Sequence, residues 1–421
     1  MIRDLFTEIW ESVRRNKMRV ALTGFAVAWG IFMLIVLLGA GNGLLNGLGA
    51  NQGDFISNSM MLFGGTTSMP YDGLKEGRWI RLRYADVQTT QSQAFSDVVR
   101  KVTPRVFTNY TISLGEHYYT TSLTGIYPSY GEIEKVDIMY GRFINDLDIK
   151  ENRKVMVMDS YDAAEFSGTG DAASMVGRYV KAGDLSFRVV GIYRTDESQM
   201  DRQTFVPFST LRTITATGDR VSQVIFSFDG LNTVQENEAF EARYKAAINA
   251  NHRADPKDPT AVWIWNRFTQ NMKMNKATSI LQIALWIIGI FTLLSGIVGV
   301  SNIMLITVKE RTHEFGIRKA IGASPAAILR LIITESIAIT AFFGYIGMFL
   351  GMLACEILDK TIGNHPVDLG IEKINMFLNP TVGLDVALEA TLLLIVAGTI
   401  AGYWPARKAS RVRPVEALAA Q

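Results

Sequence analysis

Long stretches of apolar residues constrain this chain more than any other feature of its sequence. Residues 20–40 contain no charged side chain, and residues 280–306 contain none either. Residues 328–358 carry charges only near their two ends, while residues 386–404 form a shorter stretch that includes Glu389. A helix needs about 20 mostly apolar residues to cross the hydrocarbon core of a bilayer. The sequence therefore predicts four transmembrane helices at these positions.

The overall composition agrees with a membrane protein and excludes several other classes. Charged residues make up 19% of the 421 residues, below the roughly 25% that is usual in soluble globular proteins. Lys and Arg (42) nearly balance Asp and Glu (40), so the chain lacks the strongly basic balance of a nucleic-acid-binding domain. The single cysteine, Cys355, excludes an intramolecular disulfide and a zinc site built from several cysteines.

The first apolar stretch could also be the core of a signal peptide, because basic residues precede it. It is longer than the usual core of about 7–15 residues, and no clear cleavage site follows it. An uncleaved membrane helix is therefore the preferred interpretation.

Basic residues in the short connecting segments predict the orientation of the four helices. Lys and Arg are frequent in residues 1–19, 309–330 and 407–413, whereas residues 359–383 contain few. Short basic segments stay on the cytoplasmic side of the membrane. Both termini are therefore expected in the cytoplasm, and residues 41–279 are expected on the opposite side.

The segment between the first two predicted helices has the pattern of a folded α+β domain. Apolar residues alternate along residues 221–228, which predicts a strand, and residues 84–101 have the spacing of an amphipathic helix. A helix at 233–251 and a strand at 261–265 follow. The glycine-rich residues 130–219 favour a separate β-rich lobe inserted into this domain. Further strands are predicted at residues 117–126, 154–158, 178–181 and 187–193.

Most motifs of catalysis and cofactor binding are missing from the sequence. The dipeptide Gly-Lys of the ATP-binding P-loop never occurs, and neither HExxH nor Gly-x-Ser-x-Gly is present. A loosened dinucleotide fingerprint at residues 168–173 follows no convincing strand, so we interpret it as a loop. Asp146 and Asp148 could open a calcium loop, but Lys150 occupies the next ligand position, which favours an exposed acidic turn. We therefore predict no catalytic residue, no metal site and no cofactor in this chain.

Two carboxylates lie at or inside the predicted spans. Intramembrane carboxylates can serve a proton pathway, so Glu335 and Glu389 are candidates for that role. Glu335 could instead pair with Arg330 near the helix end. Gly347 and Gly351 are four residues apart, which predicts close packing against another helix that the sequence does not identify.

Aromatic residues of the outer segment are candidates for contact with a substrate. Aromatic side chains on strands more often fill a core, because burial of their large apolar surface stabilises the fold. We therefore assign no substrate residue. The candidates are Tyr118, Tyr119, Trp263 and Trp265.

Residues 308–326, which join the second and third predicted spans, are the most informative cytoplasmic segment. Phe315 occurs there with Ile317, Ala320 and Ile321 among charged side chains. This spacing is expected of an amphipathic helix that lies along the membrane face. A glycine and a Ser-Pro pair then end the helix and begin the third span. The helix could be a solvated connection or a surface on which another protein docks.

The residues of this segment resemble those of the MacB/FtsX-type permeases of ABC transporters, a group that includes the lipoprotein-release pair LolC and LolE. The similar residues are ERTHEFGIRKAIGAS at 310–324, ITES at 333–336 and YWPARKASRVRPVEAL at 403–418. In the outer segment, YGRFIND at 140–146 and SFRVVGIY at 186–193 are similar to elements of the same family. The resemblance covers essentially the whole chain, although an aliphatic residue is commoner where this segment has phenylalanine.

This resemblance implies a permease dimer, made with a second copy or a paralogue, and a separate ATPase chain that binds ATP. It implies no cofactor in this chain. A periplasmic adaptor and an outer-membrane duct would be further partners if the function is export. It also implies a bacterial inner-membrane location with a two-lobed periplasmic domain. The residues implied at the ATPase contact are Glu310, Arg311, Glu314, Phe315, Gly316, Arg318, Lys319, Ala320 and Gly322.

The expected fold is therefore a four-helix membrane part with a large α+β, two-lobed extracytoplasmic domain between its first two helices. ATP hydrolysis would move that domain and export or expel a periplasmic or membrane-embedded substrate. Lipoprotein release, and signalling to a periplasmic cell-wall hydrolase, stay open as alternatives. The expected layout is 1–19 cytoplasmic, 20–40 first span, 41–279 periplasmic (lobes 50–129 with 220–277, and 130–219), 280–306 second span, 308–326 coupling helix, 328–358 third span, 359–383 periplasmic loop, 386–404 fourth span and 405–421 cytoplasmic tail.

Overall fold

The computed structural model describes most of the chain. The predicted basic segment up to residue 16, and the family-like tail from residue 411 onward, lie outside the described residues. The described residues are 17–50, 56–195, 203–215, 218–363, 367–368, 373–374 and 377–410.

The chain divides into two compact units. The membrane unit consists of Met1–Gln52, Ala277–Val367 and Ile374–Gln421. The outer unit consists of Gly53–Lys276 and Asp368–Lys373. The helices are α1 (Lys17–Ala50), α2 (Tyr84–Thr90), α3 (Ser129–Ile133), α4 (Asp146–Lys150), α5 (Ser160–Ser167), α6 (Phe208–Thr215), α7 (Val234–Asn251), α8 (Arg267–Glu310), α9 (Thr312–Ala320), α10 (Pro325–Thr361) and α11 (Leu384–Ser410).

Three helical stretches among the described residues are long and apolar enough to cross a membrane. They are Gly24–Gly49 within α1, Arg267–Glu310, which is α8, and Pro325–Thr361, which is α10. These stretches contain most or all of the first three predicted spans. Helix α11 covers the fourth predicted span but is not among the three, so a fourth crossing stays a prediction.

Helices α1 and α10 of the membrane unit approach each other at glycines. A Cβ atom on Gly347 would overlap the backbone carbonyl oxygen of Ala28, and one on Gly351 would lie 2.9 Å from the Cβ of Ile35. Small residues allow helix backbones to come this close and to gain van der Waals contact. The structure thus identifies α1 as the partner of the glycine pair that the sequence singled out.

The outer unit is built on a ten-stranded sheet with the order β10-β1-β9-β2-β3-β8-β5-β7-β4, while β6 pairs with β2 and β7. Separately, β11 and β12 pair with each other. The strands are β1 (Ser59–Gly64), β2 (Val99–Leu114), β3 (His117–Ile126), β4 (Ile138–Gly141), β5 (Val155–Asp159), β6 (Tyr179–Ala182), β7 (Leu185–Tyr193), β8 (Gln203–Pro207), β9 (Gln223–Phe228), β10 (Val262–Asn266), β11 (Val367–Asp368) and β12 (Lys373–Ile374).

The long strand β2 joins two parts of this sheet. Its beginning is antiparallel to β9, from Val99 opposite Phe228 to Arg105 opposite Gln223. Its later part pairs with β3 and β6. Strand β3, which the sequence assigned to the first lobe, also pairs in parallel with β8 of residues 130–219. The predicted inserted segment therefore shares a ladder of hydrogen bonds with strand β3 outside it.

The predicted helix at residues 84–101 is wrong in its second half. Helix α2 ends at Thr90, and the chain turns until Val99 enters β2. Phe95 in this turn is buried, with ring centroids 5.8 Å from Phe240 and 5.3 Å from Tyr244. Pairing of Val99 with β9 and burial of Phe95 against α7 outweigh the helical spacing of the local sequence, because tertiary packing overrides weak propensity.

The remaining predicted elements of the outer unit are confirmed within one or two residues. Strand β3 has the predicted bounds, and α7 begins after Thr233, the predicted first residue. Thr233 accepts a hydrogen bond of 3.2 Å from the backbone N–H of Glu236, whose carboxylate accepts one from the backbone N–H of Thr233. This reciprocal capping box satisfies backbone N–H groups that a helix start leaves without partners.

Candidate docking site

The segment between α8 and α10 forms a short helix with a break at each end. Helix α8 ends at Glu310, and Arg311 adopts a non-helical conformation (φ −90°, ψ 10°) before α9 begins. After α9, Gly322 has a φ of +107°, a left-handed conformation that glycine adopts without steric cost. Ser324 then caps α10 by accepting a hydrogen bond of 3.2 Å from the backbone N–H of Ala327. The α9 segment is therefore a separate helix, set off from the two long helices.

One face of α9 is buried in the membrane unit. Phe315 is only 3% exposed, and Gly316 beside it is buried as well. Phe315 belongs to the same buried apolar cluster as Val308, Ile328 and Ile332. Burial of a phenylalanine side chain stabilises a fold by roughly 1.5–3 kcal/mol. Phe315 therefore holds α9 against its own unit.

Arg311 reaches from the start of α9 to α10. Its Nη1 atom lies 2.9 Å from Oε2 of Glu335, and its Nε atom lies 3.0 Å from Oε2 of Glu314. The guanidinium carbon also lies 5.6 Å from the ring centroid of Phe315. The structure thus pairs Glu335 with Arg311 rather than with the expected Arg330.

The opposite face of α9 is exposed and contains two isoleucines. Ile317 is 40% exposed and Ile321 is 82% exposed, and Ala320 is exposed too. Of the four apolar residues that the sequence grouped on this amphipathic segment, only Phe315 is buried. Residues advance by about 100° around a helix, so a residue two positions after Phe315 points almost to the other side.

The structure divides the predicted contact residues between these two faces. Phe315 and Gly316 are buried, and Arg311 and Lys319 are half-buried. The exposed set is Glu310, Glu314, Arg318, Ala320 and Gly322. Ile317 and Ile321 join that set, although the sequence did not place them there.

The charges along α9 suit its backbone dipole. Glu314 lies in the first turn, and Arg318 and Lys319 lie in the last turn. The N-terminus of a helix carries a partial positive charge and its C-terminus a partial negative one. The exposed surface therefore has an acidic residue near the start of α9 and basic residues near its end, with Ile317 between them and Ile321 just beyond the helix. Such a surface can bind a protein surface of matching pattern.

The aromatic candidates of the outer unit differ in exposure. Tyr119 packs against Phe166 with ring centroids 4.8 Å apart, as the core interpretation predicts. Tyr118, Trp263 and Trp265 are exposed, so the preference for a core position is wrong for these three. Trp263 and Trp265 lie two residues apart on β10, at one end of the sheet order, and therefore face the same side.

A buried acidic pair at the end of β5 had no signal in the sequence. Asp159 caps α5 through Oδ1, which accepts hydrogen bonds of 2.8 Å from the backbone N–H groups of Tyr161 and Asp162. Asp162 is buried too and accepts a hydrogen bond from the Tyr119 hydroxyl. Burial and the neighbouring Asp162 carboxyl raise the pKa of Asp159 from 3.8 to about 7.

Asp148, considered above as part of an exposed acidic turn, is buried. Its backbone N–H donates a hydrogen bond of 3.0 Å to Oδ1 of Asn145, and its carboxylate accepts one of 2.6 Å from Nη1 of Arg142. Among the described residues, no three His, Cys, Asp or Glu side chains form a group that could hold a metal ion. Asp148 therefore has a structural role, and the interpretation as an exposed turn is wrong.

Two family models match this chain. One, described as MacB-like periplasmic core domain, matches residues 20–243. The other, described as FtsX-like permease C-terminal, matches residues 286–414 and so includes α9. The first match alone extends over more than half of the chain, and the two matches do not overlap.

Curated relatives carry the name macrolide export ATP-binding/permease protein MacB. The protein from Mannheimia succiniciproducens is 24% identical over 99% of this chain and 61% of its own length. The protein from Escherichia coli K12 is 25% identical over 99% of this chain and 60% of its own length. The chain thus spans about three fifths of the curated relatives that it matches.

Two solved structures are similar to part of the chain. The periplasmic region of MacB from Actinobacillus actinomycetemcomitans has 20% identity and a TM-score of 0.41, covering 52% of this chain and 94% of its own. The extracellular domain of the noncanonic ABC-type transporter YknZ from Gram-positive bacteria has 20% identity and a TM-score of 0.39, covering 50% of this chain and 100% of its own.

Proposed function

The chain belongs to the family of ABC transporter permeases with a MacB-like periplasmic core and an FtsX-like C-terminal part, and we propose that it couples a separate ATPase to movement of its periplasmic domain. Permeases of this family are bacterial inner-membrane proteins. The proposal further assigns four transmembrane helices, with both termini in the cytoplasm. Cytoplasmic basic segments support that orientation.

The observation that carries the proposal is the two-faced arrangement of α9. Phe315 and Arg311 attach one face to the membrane unit, while Ile317 and Ile321 are exposed on the other. Exposed apolar side chains surrounded by charges are typical of a surface that docks another protein. An ATPase subunit seated there would pull on α8 and α10 when it changes shape, because both helices connect to α9 through a few residues.

The proposed site of ATP hydrolysis is a separate ATPase chain, as the family resemblance implies, and residues 1–421 contain no P-loop motif. The curated relatives are named ATP-binding/permease proteins, and this chain matches about 60% of their length. We propose no catalytic residue and no cofactor in this chain, with ATP bound by the partner. A second permease, either a copy or a paralogue, would complete the dimer.

The proposed activity is export or expulsion of a periplasmic or membrane-embedded substrate, such as an antimicrobial compound, a peptide or a lipid-linked molecule. A periplasmic adaptor and an outer-membrane duct are proposed partners for it. Purification of the tagged chain in a mild detergent, with mass spectrometry of the bound proteins, tests the assignment. An ATPase with an adaptor supports export. A second permease with bound lipoprotein would indicate lipoprotein release instead, and a cell-wall hydrolase would indicate signalling.

Two substitutions on α9 test the docking surface directly. Arg318→Glu reverses an exposed charge, and Ile321→Asp places a charge on the exposed apolar surface. Both are expected to reduce co-purification of the ATPase at least tenfold without affecting membrane insertion. Lys257→Glu, an equal charge reversal at an exposed residue of the outer unit, is the matched control. Retention of the ATPase by both α9 variants at the level of this control would contradict the proposed docking surface.

A further inference from the structure

The contact between Arg311 and Glu335 joins two positions 24 residues apart in the chain. Arg311 precedes α9, and Glu335 lies in the third turn of α10. Their side chains are only 14% and 8% exposed, and the two charged atoms are 2.9 Å apart. An ion pair this enclosed is screened far less by salt than one on the surface.

Buried apolar side chains come from the same three helices as the pair. Val308, Phe315, Ile328 and Ile332 form one buried cluster on α8, α9 and the first turns of α10. A buried charge without a partner is strongly unfavourable, whereas apolar residues of similar volume can often replace a whole buried pair without loss of stability. Stability alone therefore gives little reason to bury two charges at this position. A buried ion pair does fix the geometry of the two groups that it joins.

The position of α9 requires such a fixed geometry. The breaks at Arg311 and at Gly322 interrupt the helical hydrogen bonds on both sides of α9, so the flanking helices alone do not set its direction. Phe315 supplies non-directional apolar contact. Arg311 adds directional contacts, because its planar guanidinium has N–H groups in a fixed fork, aimed here at Glu335 and Glu314.

On the basis of the function proposed above, we propose that Arg311 and Glu335 are positioning residues, whose ion pair fixes α9 on α10 so that movement of a docked ATPase is transmitted to α10. Neither residue needs to touch the ATPase. Loss of the pair would leave the docking face in place but allow α9 to shift on its apolar contact. The permease would then still bind the ATPase but would transmit less of its movement to α10.

The test uses the full chain with its co-purified ATPase in lipid nanodiscs. Glu335→Gln removes the charge and keeps the shape, while Arg311→Met with Glu335→Leu replaces the pair by apolar side chains. Arg311→Glu with Glu335→Arg reverses it. Arg330→Met, at an exposed position of α10, is the matched control. Two quantities are measured for each variant, namely the amount of bound ATPase and the stimulation of its hydrolysis by the permease.

We expect Glu335→Gln and the apolar double variant to bind the ATPase normally and to reduce stimulation at least tenfold. The reversed pair should recover at least a third of the wild-type stimulation, although Glu314 will repel the glutamate at position 311 in part. Wild-type stimulation in the folded apolar double variant would overturn the proposal, because packing alone would then suffice. Loss of ATPase binding in that variant would also overturn it, since the pair would then act on the docking face itself.

Hydrogen exchange of the α9 amides, measured on the permease by itself, gives a result that does not depend on the ATPase. Removal of the pair should accelerate exchange in Thr312–Ala320 at least tenfold, and the reversed pair should restore part of the protection. Unchanged exchange in the apolar double variant would overturn the positioning role. Failure of the wild-type chain to bind any ATPase would instead contradict the proposed function, and the exchange result would still decide whether the pair positions α9.

Discussion

At the scale of single residues, the environment of Phe315 suits an aromatic side chain. The Arg311 guanidinium lies 5.6 Å from the centroid of its ring. A cation over an aromatic face contributes about 0.5–2 kcal/mol, more when the pair is desolvated. The spacing of four residues could suggest this contact from the sequence. The pairing of Arg311 with Glu335 could not be foreseen, because it depends on how the chain folds back after the break at Gly322.

The acidic pair of the outer unit predicts a dependence of stability on pH. Asp159 has an ordinary pKa of 3.8 and a raised pKa of about 7 in the folded protein. Between these values the folded state holds a proton that the unfolded state has released. The contribution of Asp159 to the free energy of unfolding is therefore fully present below about pH 4. This contribution decreases as the pH rises to about 7, by up to about 1.4 kcal/mol per pH unit.

Asp159→Asn tests this dependence and preserves the cap of α5, because asparagine is also a favoured N-cap residue. Thermal unfolding of the full chain in detergent, measured from pH 5 to pH 8, should show a smaller decline for the variant than for the wild type. Glu165→Gln, the same kind of change at an exposed position of α5, serves as control and should follow the wild type. Parallel curves for wild type and Asp159→Asn would show that this carboxyl does not titrate in the window.

At the scale of elements, the sequence predicted best where one strong pattern covered many residues. Three long apolar stretches became the helices α1, α8 and α10, and alternation located strands such as β9. The predicted helix at residues 84–101 was wrong because its helical spacing was a purely local pattern. Val99 pairs instead with a strand more than a hundred residues later in the chain. Local patterns carry no information on such partners.

The packing of α1 on α10 gives a prediction for Gly347. An alanine there would place its Cβ against the carbonyl oxygen of Ala28, which is backbone and can move only with its helix. Overpacking of this kind costs about 1–3 kcal/mol. We expect Gly347→Ala to lower the melting temperature of the full chain in detergent by several degrees.

Gly49→Ala provides the matched control for this substitution. An added Cβ at Gly49 in α1 would have no neighbour within 4 Å. Both changes replace glycine by alanine in a helix and so share the gain in helix propensity. If the two variants melted at the same temperature, the close approach of α1 and α10 at Gly347 would be contradicted.

At the scale of the whole molecule, the proposed orientation can be tested with cysteines. The native Cys355 is 2% exposed and is expected to stay unlabelled in the folded protein. A cysteine at Lys257, exposed in the outer unit, should react in intact cells with a maleimide that crosses only the outer membrane. A cysteine at Ile321 should react only after the inner membrane is opened. The reverse pattern would contradict cytoplasmic termini and a periplasmic outer unit.

The order of strands in the outer unit has a consequence for its biosynthesis. Strand β1, which ends at Gly64, pairs with β9 and β10, and β9 begins only at Gln223. At about 5–20 residues per second, a ribosome needs roughly 8–30 s to make the intervening chain. During that time the apolar residues of β1 emerge from the translocation machinery without the strands that will flank them. A newly made chain is therefore exposed to aggregation and to proteases for roughly 8–30 s, and a periplasmic chaperone would have its greatest effect in that interval.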